Sequence, residues 1–210
     1  MTVQNNLQFG SQTRTDIFLT AARLFAQKGY DRVSIREICE AVGVSKPTLY
    51  YYFKDKRNLI LELFRFTQEL SQQLIQKHIL SKSDFLEQVR GLLKVRKVFV
   101  EQYPDFIRLH LLSNLFPIDP RISEEMEKYF TQMINESVEF LRKGQAQGYL
   151  APDEDLRLVI YSVFGMMNQL AYRALFLNDC NAMSDEMLEK VFQFWKRHYF
   201  TKNPVSGGSE

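Results

Sequence analysis

The residues best suited to chemistry form a run of cationic and hydroxyl side chains: Ser45, Lys46, Pro47, Thr48, Tyr50 and Tyr52. A lysine can donate hydrogen bonds to guanine acceptors in the DNA major groove, and a threonine can contact thymine through its methyl group. Two phenols two residues apart on a short helix cannot both be buried, so at least one hydroxyl is expected to face a phosphate. This run therefore predicts a helix that binds nucleic acid.

Two groups of polar residues flank this run. Ser34 and Arg36 open the preceding helix, whose free N–H groups can meet a phosphate. Lys56 and Arg57 lie in the first turn of the following helix, where positive charge opposes the helix dipole and costs about 0.3–1 kcal/mol each. A phosphate beside Lys56 would turn this cost into attraction. The alternative is a solvated charge pair on an exposed turn.

The distribution of charge agrees with a nucleic-acid surface near the N-terminus. Residues 1–60 hold nine Lys and Arg against five Asp and Glu, whereas the remainder holds 18 against 20. A basic quarter on a mildly acidic body indicates that a polyanion, if one binds, meets that quarter.

Helix signals explain how these residues would be positioned. A first helix is predicted from about Thr13 to Gly29, where a left-handed glycine stop is expected. Ser34 and Glu37 form a capping box that opens a second helix, and this helix is broken by Gly43. Ser45 then caps a third short helix. Two short helices around a glycine turn predict a helix-turn-helix.

The rest of the chain has helical periodicity and no alternating strand pattern, which predicts an all-α fold. Helices are expected after residue 55 and over about 83–102, 104–116, 121–147, 153–177 (opened by Asp153) and 184–199 (capped by Ser184). The predicted organisation is a disordered segment 1–12, a three-helix DNA-binding domain 13–58, an effector-binding and dimerisation domain 59–200, and a disordered tail 201–210.

The first quarter of the chain resembles the DNA-binding domain of the tetracycline-repressor (TetR) family over about residues 13–63, through the runs AARLFAQKGYDRVS and VSIREICEAVGVSKPTLYYYFKDKRNLI. The resemblance implies a homodimer that binds a palindromic operator, represses transcription and is released by a small molecule. It places DNA contacts on Ser34, Arg36, Ser45, Lys46, Pro47, Thr48, Tyr50, Tyr52 and Lys56. Many members carry histidine at the position of Tyr52, so this position contacts either a base or only a phosphate.

Later helices carry residues with the composition of a small-molecule pocket, an apolar lining with a few polar groups. The candidate effector-binding residues are Arg96, Phe99, Tyr103, Phe106, His110, Asn114, Phe130, Met133, Met167, Asn168 and Tyr172. The alternative for each is an ordinary core position, and a single histidine is more often a satisfied core residue than a ligand contact.

Arg96 falls within an apolar arc of its predicted helix, and a guanidinium cannot be buried alone without a large penalty. One interpretation is structural: Arg96 pairs with an acid such as Glu136 or extends to an edge of the apolar surface. The other is that Arg96 binds an anionic group of a ligand.

The predicted helix 153–177 is apolar almost all round, which is typical of a helix buried on two sides. The last helix adds further apolar residues, among them Phe194 and Trp195. Two such helices from each of two chains would form an isologous four-helix interface, so a homodimer through the last two helices is expected. The alternative is a central helix of a monomer.

The sequence offers no basis for catalysis. The three histidines, at 78, 110 and 198, lack metal-ligand spacing, and there is no glycine-rich phosphate loop or nucleophile motif. No enzyme activity, metal or cofactor is expected. The absence of an apolar run of about 18 residues argues against a membrane span, and a cytoplasmic protein is expected. Two alternatives remain: a helical small-molecule-binding protein, and a DNA-binding regulator without an effector.

Overall fold

A computed structural model describes residues 10–115 and 119–200, with side chains for all of these except 114 and 115. The described residues form no strand, and their helices are α1 (Gln12–Lys28), α2 (Ile35–Val42), α3 (Lys46–Tyr52), α4 (Lys56–Ile75), α5 (Phe85–Gln102), α6 (Pro104–Leu115), α7 (Pro120–Ala146), α8 (Leu156–Phe176) and α9 (Asp185–His198). A π-helical turn, Gln76–Leu80, follows α4. The all-α prediction is confirmed. Of the disordered segment predicted over 1–12, residues 1–9 lie outside the described residues, and the prediction is wrong at Ser11 and Gln12, because Ser11 caps α1 and Gln12 begins it. The predicted disordered tail 201–210 and the predicted helical residue Phe116 also lie outside the described residues.

Short-range capping explains where α2 and α3 begin. The Ser34 hydroxyl accepts from the Glu37 N–H at 3.1 Å, and the Ser45 hydroxyl accepts from the Thr48 N–H at 3.2 Å. Between the two helices Gly43 adopts φ +79° and ψ 32°, the left-handed conformation that a residue with a β-carbon adopts only with strain. The predicted helix-turn-helix connection is therefore present as expected.

The predicted end of α1 at Gly29 is confirmed, since Gly29 follows Lys28, the last residue of the helix, and has a positive φ of 82°. Its ψ of 152° differs from the expected left-handed helical conformation. One predicted helix boundary is wrong. The helix expected from Asp153 begins at Leu156, because Asp155 is the residue that caps it. The Asp155 carboxylate accepts from the N–H groups of Arg157 at 3.0 Å and Leu158 at 3.2 Å.

The described residues fall into two compact units. The N-terminal unit contains residues up to Gln73 together with those of Val98–Met126, and the C-terminal unit contains Leu74–Lys97 together with residues from Glu127 onward. In the N-terminal unit α1 packs against α2, α3 and α6. None of the helices in the described ranges combines the length and apolar character that crossing a membrane requires.

Four aromatic rings, the phenylalanine cluster, connect the helices of the N-terminal unit. The ring of Phe18 in α1 lies 6.4 Å from Phe53, 5.7 Å from Phe66 in α4 and 6.2 Å from Phe106 in α6, centroid to centroid. The rings of Phe66 and Phe106 are 5.3 Å apart. Since Phe53 directly follows α3, this cluster joins the helix-turn-helix to α4 and α6.

A second aromatic group lies in the C-terminal unit. The Phe85 ring is 5.2 Å from that of Phe140, 4.9 Å from Tyr149 and 5.8 Å from Phe200. Gly144 permits this packing, because a β-carbon there would lie 2.2 Å from the Phe85 ring. The Phe85 side chain therefore packs the start of α5 directly against the backbone of α7.

Candidate nucleic-acid interface

The N-terminal turn of α3 presents its polar side chains outward. Ser45, Lys46 and Pro47 are exposed, and Thr48 is half-buried. The hydroxyls of Ser45 and Thr48 are 2.8 Å apart, so both are held close to the start of the helix. Leu49 lies on the opposite side and is fully buried. This arrangement leaves the Lys46 ammonium unobstructed at the tip of α3.

The three tyrosines of α3 differ in exposure. Tyr50 is 48% exposed, Tyr51 is 82% exposed and Tyr52 is half-buried. The Tyr52 hydroxyl accepts from the Ser11 hydroxyl at 2.9 Å, which leaves its own proton available to donate outward. The rings of Tyr51 and Tyr52 pack edge to face at 5.0 Å. Two phenols and one half-buried hydroxyl are thus available on this surface.

Tyr51 is absent from the residues that we predicted to contact DNA, although helix geometry could have found it. Leu49 and Phe53 are both fully buried and are four residues apart, so they define the inner face of α3. At 100° per residue, Tyr51 lies about 200° from Leu49 and must face outward.

The free N–H groups at the start of α2 could bind an anion, but charged side chains of this helix already form ion pairs within the protein. The Arg36 guanidinium donates to Glu40 at 2.7 Å, and this bond raises the pKa of Arg36 further above its ordinary value. Glu37 pairs with Lys28, and this hydrogen bond is the main cause of its lowered pKa. Exposed pairs of this kind contribute little to stability, so Arg36 can exchange Glu40 for a phosphate at small cost.

Lys56, the first residue of α4, has an aromatic environment that the sequence did not indicate. Its ammonium lies 4.1 Å from the centroid of the Tyr30 ring and 6.0 Å from that of Phe25. It donates to the Asp31 carbonyl at 3.5 Å. Burial lowers the pKa of Lys56, and the charge of Asp31 opposes this effect. The cation is therefore held over the α1–α2 turn by a cation–π contact.

The predicted effector residues of the N-terminal unit form a chain of packed rings. The Phe99 and Tyr103 centroids are 6.0 Å apart, and those of Tyr103 and Phe106 are 6.4 Å apart. All three side chains are buried, and Phe106 belongs to the phenylalanine cluster. His110 is half-buried. The side chain of Asn114 lies outside the described residues.

In the C-terminal unit Arg96 and Asn168 are brought together. The Arg96 Nη2 donates to Asn168 Oδ1 at 2.5 Å. The expected ion pair with Glu136 is absent: Glu136 is exposed and accepts from Gln132 at 2.8 Å. The ion pair does not form because Asn168, rather than a carboxylate, faces Arg96 where α8 passes α5.

The other predicted effector residues of the C-terminal unit differ in burial. Met167 is buried, and Phe130 and Met133 are half-buried. Tyr172 is 37% exposed, and its ring stacks on that of Phe176 at 5.2 Å. Tyr172 therefore points away from the buried face of α8.

One side of α8 presents an exposed and mainly apolar surface, the α8 stripe, which consists of Leu158, Tyr161, Gly165 and Tyr172, with the exposed polar Gln169 among them. Leu158 is 62% exposed and Tyr161 is 55% exposed. Gly165 faces open space, since a β-carbon there would meet no atom within 4 Å. The spacing of three, four and seven residues keeps these positions on one side of the helix. On α9, Phe194 is also exposed.

A surface cavity of about 350 Å³ lies in the N-terminal unit where the α1–α2 turn meets α6, and sequence reasoning did not indicate it. Its lining comprises Phe25, Gln27, Lys28, Gly29, Tyr30, Asp31, Arg32, Leu109, Leu112 and Ser113. None of the predicted effector residues lies among them. Within residues 10–115 and 119–200 no group of His, Cys, Asp and Glu is placed to hold a metal ion.

Residues 17–63 match the family model described as bacterial regulatory proteins, tetR family. The chain is 38% identical over 61 residues to the HTH-type transcriptional regulator AcrR of Shigella flexneri, covering 29% of this chain and 28% of AcrR. It is 26% identical over 149 residues to the HTH-type transcriptional repressor KstR2 of Mycobacterium tuberculosis, covering 70% of this chain and 73% of KstR2. The chain spans less than half the length of the first curated relatives it matches.

Two solved structures share the fold over nearly the whole chain. The fatty acid degradation regulator FadR from Bacillus halodurans superposes with a TM-score of 0.77 at 18% identity, covering 90% of this chain and 97% of FadR. The ketosteroid regulator KstR2 of Mycobacterium tuberculosis superposes with a TM-score of 0.74 at 20% identity, covering 93% and 98%. At this identity the likeness shows the fold alone. The relatives named above are transcription regulators rather than enzymes.

Proposed function

Because residues 17–63 match the model of the tetR family of bacterial regulatory proteins, we propose that the chain is a regulator of this family that binds a palindromic DNA operator as a homodimer and represses transcription. The observation that carries this proposal is the tip of α3, where Lys46 stands exposed on a helix whose inner face is fixed by Leu49. Such a helix can enter the major groove with its N-terminal residues against base edges. A protein that acts on bacterial DNA works in the cytoplasm.

Each polar residue of this surface is assigned a role by its chemistry. Lys46 donates to guanine, and Thr48 contacts a base or a phosphate. Tyr50 and Tyr51 present exposed phenols to the sugar-phosphate backbone, and Tyr52 donates the proton that its bond from Ser11 leaves free. The list of backbone contacts is completed by Ser34, Arg36, Ser45, Pro47 and Lys56, which lie at the starts of α2, α3 and α4.

We assign the homodimer contact to the α8 stripe together with Phe194 of α9. An exposed apolar surface on a helix whose other side is buried has the character of an interface. Gly165 in its middle allows the backbone of a second helix to approach closely. In an isologous contact both subunits use the same surface, so each residue of the stripe is buried once in each subunit. The contact also sets the spacing of the two α3 helices, which should match two half-sites one helical turn apart.

Release of DNA by a small molecule is also part of the proposal. The C-terminal unit supports it through the polar pair Arg96–Asn168, which lies beside the buried Met167 on α8. Among the similar structures, FadR is a fatty acid degradation regulator and KstR2 is a ketosteroid transcriptional regulator. These descriptions apply to those two proteins. If the protein is a regulator without an effector, no compound will both raise its melting temperature and release DNA from it.

The experiment that tests this function is selection of bound duplexes from a random DNA pool. We expect the recovered sequences to contain an inverted repeat with half-site centres about 10 base pairs, or a multiple of that, apart. The purified protein should retard this DNA as a dimer at low ionic strength. A monomeric protein that enriches no symmetric sequence contradicts the proposal.

Two lysine substitutions should have effects that differ in kind. Lys46→Ala should weaken binding to the selected DNA by about 1–3 kcal/mol and leave scrambled DNA little affected, because Lys46 contacts bases. Lys56→Met keeps the aliphatic stem over Tyr30 but removes the charge. It should weaken both DNAs alike and reduce the slope of log affinity against log salt by about one. Fluorescence anisotropy titrations over a salt series measure both, and equal effects of the two variants on both DNAs contradict this division.

A further inference from the structure

Arg96 in α5 is a half-buried cation with no anionic partner among the described residues. Its Nη2 donates to Asn168 Oδ1 at 2.5 Å, and its Nε is buried without a hydrogen-bond partner. Among the described residues no carboxylate pairs with it. An arginine carries five N–H donors, so much of the hydrogen-bonding capacity of this guanidinium is unused.

Two other cations of α5 show the ordinary solution in the same unit. Arg90 pairs with Glu189 of α9 and lies 4.0 Å from the Phe192 ring, and Lys97 donates to Asp185 at 2.6 Å. At 100° per residue, Arg96 lies about 120° around α5 from Arg90 and about 100° from Lys97. It therefore faces α8, where an amide takes the place of an acid.

Burial of this guanidinium without a countercharge is costly, because its hydration is lost and the dipole of one amide replaces only part of it. Burial lowers the pKa of Arg96 to about 10. Arg96 is still protonated at neutral pH, so the charge remains in place and attracts an anion.

Asn168 supplies a second donor at the same place. Its Oδ1 is occupied by Arg96, which fixes the orientation of the amide, and its Nδ2 has no partner among the described residues. Around α8, Asn168 lies at the border between the buried face, which includes Met167, and the α8 stripe. The side chain is half-buried accordingly.

We propose that Arg96 and Asn168 form a receptor for a carboxylate, and that the effector of this protein is an organic acid. The guanidinium offers parallel N–H donors to the two carboxylate oxygens, and the Asn168 Nδ2 offers a further one. This inference rests on the proposed function, since it names the chemical class of the effector. It also links effector binding to DNA binding. Asn168 lies on α8, whose exposed stripe is the proposed dimer contact.

The direct test uses acetate as the probe and the Arg96 Nε–H group as the reporter. In a nitrogen-15 NMR spectrum this signal is assigned by its loss in Arg96→Gln. We expect it to shift with acetate in a saturable way and to stay unchanged with acetamide or with sodium chloride at matched ionic strength. A signal that does not respond to acetate overturns the proposal.

A second test measures effector selection with the whole protein. Thermal-shift titrations compare carboxylic acids with the corresponding primary amides on wild type, Arg96→Gln and the control Arg90→Gln. The acids that stabilise wild type should bind Arg96→Gln about tenfold more weakly or worse, as expected for hydrogen bonds to a charged group, and should bind Arg90→Gln normally. Selection of amides over acids, or equal losses in both variants, overturns the proposal.

One further variant, Arg96→Met, and the oligomeric state of Arg96→Gln separate a receptor from a structural arginine. Arg96→Met should melt at the same temperature as wild type or higher in the absence of acids, because it removes a buried charge. A large loss of stability in Arg96→Met overturns the proposal. So does dissociation of the dimer by Arg96→Gln, since a carboxylate of the second subunit would then fill the site.

The outcome for DNA distinguishes this inference from the proposed function. Arg96→Gln should retain wild-type affinity for the selected DNA without acid and should lose release by acid. Wild-type protein that binds symmetric DNA but responds to no carboxylate refutes only the carboxylate receptor. Wild-type protein that binds no symmetric DNA refutes the function, whereas the acetate titration still reports on the receptor.

Discussion

Tyr161→Asp is expected to convert the dimer to monomers and to weaken binding to the selected operator by about a hundredfold or more. Tyr161 is 55% exposed in the single chain, and its place in the α8 stripe would bury it in the dimer. Burial of an aspartate against apolar surface costs several kcal/mol unless it finds a partner. A monomer also loses the gain from two linked half-sites, which is commonly about 10²–10⁴-fold.

Sedimentation velocity measures the first effect, and titration with the full operator measures the second. Ser83→Asp is the control, since it introduces the same change of charge at an exposed position before α5. Affinity for an isolated half-site should stay unchanged in Tyr161→Asp, because α3 is untouched. A Tyr161→Asp protein that sediments as a dimer would place the interface elsewhere.

Phe18→Ala is expected to lower the free energy of unfolding of the N-terminal unit by about 3–5 kcal/mol. The Phe18 ring is 1% exposed and contacts three rings of the phenylalanine cluster. Its loss leaves a cavity at the point where α1, α4 and α6 meet the end of α3. A change of this size is a large part of the roughly 5–15 kcal/mol by which proteins are ordinarily stable.

Urea denaturation followed by far-ultraviolet circular dichroism measures the effect. Tyr51→Ala removes a ring of similar size that is 82% exposed, and it should change stability by less than about 0.5 kcal/mol. Phe18→Leu should fall between the two. Equal stability of Phe18→Ala and wild type would mean that the cluster does not hold the unit together.

The features that the sequence predicted well depend on neighbouring residues. The caps at Ser34 and Ser45 and the left-handed Gly43 follow from groups within four positions of one another, and all three are present. The capping of α8 shows the limit of this reasoning. Two aspartates two residues apart both have the right chemistry, and only the backbone path shows that Asp155 meets the free N–H groups.

Apart from Tyr51, the features that sequence reasoning missed depend on distant parts of the chain. Lys56 is 26 residues from Tyr30, and no periodicity links them. Arg96 could be predicted to need a partner, but its choice of Asn168, 72 positions away, depends on how α5 passes α8. The DNA-contact and effector assignments themselves stay predictions, since they concern molecules that bind the chain.

The Ser11 hydroxyl has a practical consequence for work with this protein. It caps α1 by accepting from the Arg14 N–H, and it also donates to Tyr52. The polypeptide immediately ahead of this serine therefore joins the molecule next to the helix proposed to enter the groove. Affinity measurements should therefore compare protein that carries an amino-terminal tag with protein from which the tag has been removed.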